Sequence, residues 1–172
     1  FGSRLMANIR EDKGYTYGIR SGFQGGKYNG LFTISASVKR PATVLSLFEV
    51  TKEFKNYQEK GITDKELEFT KNSLLNEEAL RYEAPFQKAN YLANIIKYNL
   101  PKDYTSQQND ILKKMTKDDV NAQIKKYFDL NKMTTFIVGD KSYIEAKLND
   151  ALKDAKTKEE VKNVKLKKIS VD

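Results

Sequence analysis

Arg10 and Tyr17 stand seven positions apart, with Gly14 between them and Tyr15 close to the second. A guanidinium offers a fork of donors to a peptide carbonyl or a terminal carboxylate. A phenol is a neutral donor suited to the oxyanion that grows on a carbonyl under attack, and removing one such donor costs on the order of 10²–10³ in rate. Stronger chemistry is missing. The 172 residues include neither Cys nor His. That excludes disulfides, thiolate nucleophiles, Ser-His-Asp and Cys-His pairs, and any zinc site built on imidazole or thiolate. A carboxylate-only calcium or magnesium site stays open in principle, but no Asp-rich loop with EF-hand spacing is present. The residues alone also allow plainer roles. Arg10 can pair with Glu11 or Asp12 or complement a helix C-terminus, and Tyr17 can be a core strand tyrosine. Tyr15 reads first as packing and second as a substrate contact.

The elements that must position these groups follow from the pattern. Ser3 is placed as an N-cap, and Leu5, Met6 and Ile9 make a short amphipathic stripe that Gly14 ends with a left-handed cap. From Tyr15 the period becomes two, with Tyr15, Tyr17, Ile19, Ser21 and Phe23 expected on one face. Residues 24–30 read as a hairpin connection, and residues 31–39 return with Phe32, Ile34, Ala36 and Val38 on one side. Gly18 is expected to serve a close strand approach. Helices then dominate. Pro41 opens one that runs to Gly61. Thr63 and Glu66 form a capping box for the next, Pro85 interrupts it, and residues 86–98 continue as a helix ending before Pro101. Short helices begin at Thr105 or Ser106 and at Thr116. Residues 133–138 read as a short buried strand and 142–152 as a helix. Residues 153–172 form a basic tail or a last strand. The layout is α+β, an antiparallel sheet with helices packed on one face, in one metal-free domain of 1–172 that reads as a piece of a larger protein cut at its N-terminal side.

Composition bounds the partners. The hydrophobic fraction is 39%, enough for a core, and no apolar run reaches the roughly 18 residues of a membrane span. The net charge is +8, yet only five of the basic residues are Arg (Arg4, Arg10, Arg20, Arg40 and Arg81), and the lysines are interspersed with acids. That pattern describes a solvated surface better than a nucleic-acid site, so no nucleic-acid partner is expected. The absence of Cys suits a bacterial cytoplasm or a periplasm, the latter preferred.

Residues 2–18, Gly-Ser-Arg-Leu-Met-Ala-Asn-Ile-Arg-Glu-Asp-Lys-Gly-Tyr-Thr-Tyr-Gly, resemble the second-half signature of the pitrilysin/insulinase (inverzincin) family of zinc metallopeptidases, in which a small residue, Ser-Arg-Leu, a hydrophobic helix and Arg-Glu-x-x-Gly-x-x-Tyr occur in this order. Gly-Ile-Thr-Asp-Lys-Glu-Leu (61–67), Met-Thr-Lys-Asp-Asp-Val (115–120) and Val-Gly-Asp (138–140) extend the likeness over most of residues 1–152. The resemblance implies a clamshell of two related halves. One half carries His-x-x-Glu-His and zinc; the other lacks the metal and supplies an Arg and a Tyr that hold the substrate. Those map to Arg10 and Tyr17. A chain without His is then the metal-free half, inactive alone, with zinc expected in a homologous partner half of the same polypeptide or another subunit, and with peptides as substrate. A non-catalytic scaffold subunit of the same fold is the alternative.

Overall fold

The computed structural model describes residues 3–25, 29–80 and 84–153. It resolves into two compact units, one of residues 1–60 with 127–172, the other of residues 61–126.

The first unit begins with a π-helical segment, Met6–Asp12. The Met6 N–H donates to Ser3 Oγ at 3.2 Å, so the expected N-cap forms. At the other end the Lys13 N–H reaches back to the Asn8 carbonyl and the Tyr15 N–H to the Ile9 carbonyl, each near 3 Å. Gly14 makes this tight exit at φ +62°, a left-handed conformation that only glycine adopts without cost. Strands β1 (Thr16–Gly25) and β2 (Gly30–Val38) follow as an antiparallel hairpin. The Lys39 N–H donates to the Tyr15 carbonyl and extends the ladder by one step. A 3₁₀ turn at Arg40–Ala42 carries Pro41 in its first turn and runs into α1 (Thr43–Lys60). After a second 3₁₀ turn at Leu130–Lys132 the unit closes with α6 (Lys141–Ala151), whose N-cap is Asp140.

The core of this unit is apolar and continuous. Ile9, Ile19, Ala42, Val44, Phe54 and Leu130 are buried. Phe128 joins strands to helix: its ring lies 4.8 Å from Phe32, 5.5 Å from Phe54 and 5.4 Å from Tyr57, centroid to centroid, at tilted and edge-on angles that aromatic pairs favour. Asn8 fastens the π-helical segment to α1, its Nδ2 donating to Glu49 at 3.0 Å and Glu53 at 2.8 Å.

One expected element does not form. Residues 133–138 are not a buried strand; the segment has a single bridge residue at Thr135, and Phe136 and Val138 are exposed. The apolar run suits a strand, but the described sheet pairs only β1 with β2, and among the described residues the segment contributes no more than that bridge. The expected last strand in 153–172 falls, from residue 154 on, outside the described residues.

The second unit is helical: α2 (Asp64–Leu80), α3 (Pro85–Tyr98), α4 (Tyr104–Lys114) and α5 (Lys117–Tyr127), the last ending at the unit's boundary. Both sequence caps form. The Thr63 N–H donates to Glu66 at 2.7 Å and the Glu66 N–H returns to Thr63 Oγ1 at 3.2 Å; Thr116 and Asp119 repeat the exchange for α5 at 2.9 and 3.2 Å. Gly61 sits at φ +66°, and a Cβ there would strike the carboxamide of Asn121, which accepts the Ile62 N–H at 2.8 Å. Phe86, Leu92 and Ile96 on α3 are exposed. No helix among the described residues is long and apolar enough to cross a membrane.

Candidate functional site

Arg10 lies in the last turn of the π-helical segment and is half-buried. The Gly14 N–H donates to the Arg10 carbonyl at 3.1 Å, so the turn ties the Arg10 backbone directly to the approach of β1. Tyr15 is half-buried at the base of the strand.

Tyr17 behaves differently. It is 96% exposed. Strict alternation groups it with Ile19, yet Ile19 is in the core. The register explains the divergence: Thr16 pairs with Val38 and Ile19 with Ala36, which leaves Tyr17 and Gly18 facing Ser37 alone. Two residues against one is a β-bulge, and it shifts the inward face from 17 to 16. The expectation that Tyr15, Tyr17 and Ile19 share one face is therefore corrected from Tyr17 onward. Gly18 is also not the close-approach glycine that the sequence suggested. It has no positive φ, and a Cβ built on it meets nothing within 4 Å. Gly14 fits its expected role.

The alternation of the sequence sets Thr16 on the face opposite Tyr17 and Ile19 and gives it no role. Thr16 is 8% exposed, and its hydroxyl lies 2.6 Å from the Ser37 carbonyl, 2.9 Å from the Gly18 carbonyl and 3.1 Å from the Gly18 N–H. A buried Thr inside an alternating strand carries no sequence signal for this contact, because the partner carbonyl is 21 residues away.

Electrostatically, the clearest arrangement of this unit is at the start of α6. Asp140 accepts from the Tyr143 N–H at 3.1 Å, from the Ser142 hydroxyl at 2.8 Å and from the Arg40 guanidinium at 2.7 Å. These bonds, the backbone one foremost, hold its carboxyl down to a pKa of about 2. The Arg40 guanidinium also covers the Tyr143 ring at 4.2 Å. This is a helix cap fastened to the 40s turn.

A cleft of about 690 Å³ opens within the second unit, lined by Asn90, Tyr91, Asn94, Tyr104, Gln108 and Leu112 among others. The Thr105 hydroxyl bonds the Tyr91 phenol across it at 3.0 Å. Its lining includes none of Arg10, Tyr15 and Tyr17.

The donor set does not fit zinc. The chain has no His or Cys, and among the described residues no group of three or more carboxylates is placed to hold a metal ion.

Comparison with known proteins agrees with these features. Residues 1–74 match the Peptidase M16 inactive domain. A curated relative, the Non-peptidase homolog YmxG of Helicobacter pylori, is 32% identical over 145 residues, which cover 82% of this chain and 33% of that protein. Among solved structures, the crystal structure of a peptidase M16 inactive domain from Pseudomonas fluorescens superposes with a TM-score of 0.68 at 29% identity, over 75% of this chain and 31% of that one. The chain thus spans about a third of the length of the relatives it matches. The resemblance carried by residues 2–18 is upheld: residues 1–74 match the inactive domain of the M16 peptidases, and the α+β fold is that of a solved inactive domain of the same family.

Proposed function

We propose that the chain is the non-catalytic half of a two-half assembly of this fold, a structural wall that pairs with a homologous half and does not hydrolyse peptide bonds itself. The observation that carries this reading is the 32% identity, across most of the chain, to a protein described as a non-peptidase homologue. The missing zinc donors agree with it. The test is to purify the chain with and without a homologous half bearing His-x-x-Glu-His and to assay a quenched fluorescent peptide. The expected result is a complex on size-exclusion chromatography and no cleavage by this chain alone. Cleavage by the chain alone, insensitive to trace protease inhibitors, would overturn the assignment.

A second reading has its own observation, the full exposure of Tyr17 on β1. In it the phenol donates to a carbonyl of a polypeptide held between the halves, Arg10 adds its fork of donors with Tyr15 nearby, and the metal chemistry belongs to the partner half. If so, Tyr17→Phe in the assembled pair lowers kcat on the order of 10²–10³ with little change in KM. An unchanged kcat removes this reading and leaves the structural one.

A further inference from the structure

We infer that Thr16 is a positioning residue for Tyr17: its buried hydroxyl holds the β-bulge that turns the phenol out of the core. The inference rests on the second reading above, in which Tyr17 meets polypeptide. An extra residue in one strand removes ladder hydrogen bonds, and each group so released inside a sheet needs another partner. At this bulge one side chain bonds backbone groups of both strands. Thr16 Oγ1 accepts the Gly18 N–H at 3.1 Å and has a single proton to give, to the Ser37 carbonyl at 2.6 Å, with the Gly18 carbonyl at 2.9 Å as the other acceptor in reach.

Glycine flexibility does not account for the bulge. Gly18 has no positive φ and open space where a Cβ would stand, so any small residue could follow Tyr17. The hydroxyl is what this register needs. Without it, regular pairing would satisfy the same backbone groups, and the face rule would turn Tyr17 toward the side that Ile19 occupies. A bulge is a common device for re-aiming a side chain next to a site, and this one aims a phenol.

The test compares Thr16→Val, which keeps the shape and removes the hydroxyl, with Thr16→Ser, which keeps the hydroxyl. Tyr17 presentation is read by nitration with tetranitromethane and peptide mapping, with exposed Tyr127 as internal standard. Function is read as kcat and KM of the assembled pair. The expected result is parent-like behaviour in Thr16→Ser. In Thr16→Val, Tyr17 nitration falls several-fold relative to Tyr127, and kcat falls toward the level of Tyr17→Phe at similar KM. Unchanged Tyr17 nitration in a folded Thr16→Val overturns the inference. So does a Thr16→Val kcat equal to the parent when Tyr17→Phe is impaired. If Tyr17→Phe is silent while nitration falls in Thr16→Val, the substrate reading fails and the role of Thr16 in presenting Tyr17 stands. Should Thr16→Val not fold, amide exchange in the unaltered chain decides. A protected Gly18 N–H supports the bond to Thr16, and free exchange refutes it.

Discussion

At the scale of single residues, three glycines separate backbone need from sequence habit. Gly61 combines a left-handed φ with a Cβ position already taken by Asn121. Gly14 has the φ but open space, and Gly18 has neither constraint. A non-glycine residue in the left-handed region costs roughly 1–2 kcal/mol. The expected order of destabilisation is therefore Gly61→Ala above Gly14→Ala, with Gly18→Ala within about 0.5 kcal/mol of the parent. Urea unfolding followed by far-UV circular dichroism measures it, and a Gly18→Ala as damaging as Gly61→Ala would contradict the geometry. Asp140 gives a pH-dependent prediction. Its carboxyl is held near 2 in the fold by the Tyr143 N–H, Ser142 and Arg40, against about 3.9 in an unfolded chain. A depressed folded value contributes stability that is complete above the unfolded pKa and is lost as pH falls through the folded one. Asp140→Asn is thus expected to lower the urea midpoint at neutral pH and to flatten its decline between about pH 4 and pH 2.

At the scale of elements, the first unit is held by one aromatic side chain that belongs to no helix or strand. Phe128 follows α5 and contacts rings from β1, β2 and α1: Phe23 at 5.9 Å, Phe32, Phe54 and Tyr57. Its removal withdraws a partner from four rings at once. Phe128→Ala is expected to cost about 3 kcal/mol, the lower end for such truncations because the ring is only half-buried. Chemical denaturation checks this, and a loss below about 1 kcal/mol would mean that the neighbouring rings close the gap among themselves. The helix ends tell a different story. Their Thr-Glu and Thr-Asp exchanges and the Pro85 start of α3 are decided within three or four residues, which is why they can be read directly from the chain.

At the scale of the whole molecule, charge and pairing set the terms. The +8 balance comes mostly from lysines, and several described ones are engaged with acids, as in Lys117–Asp64 at 2.8 Å and Lys153–Asp150 at 2.9 Å. The expected outcome with a single-stranded oligonucleotide is weak binding without a steep salt dependence. A log–log slope of several units against salt would instead identify a polyanion site. Pairing with a homologous half is the property on which the proposed function depends. Size-exclusion chromatography of the mixed halves tests that property directly.

What the sequence determined by itself is whatever is decided within a turn or a strand: the caps, the proline and glycine boundaries, the hairpin, and the lack of any zinc ligand of the His or Cys type. The order Ser-Arg-Leu, Arg10, Gly14, Tyr17 was likewise sufficient to point to a metal-free half of a known peptidase fold. Tertiary structure alone decided which way Tyr17 points, because the bulge depends on a hydroxyl of β1 meeting a carbonyl of β2. It also decided that Phe128, which helical spacing groups with Val120 and Ile124, lies past the helix end against rings of β1, β2 and α1, and that residues 133–138 form no strand. In each case the physical reason is the same: alternation and propensity describe one segment, while burial and ladder pairing are properties of two segments brought side by side.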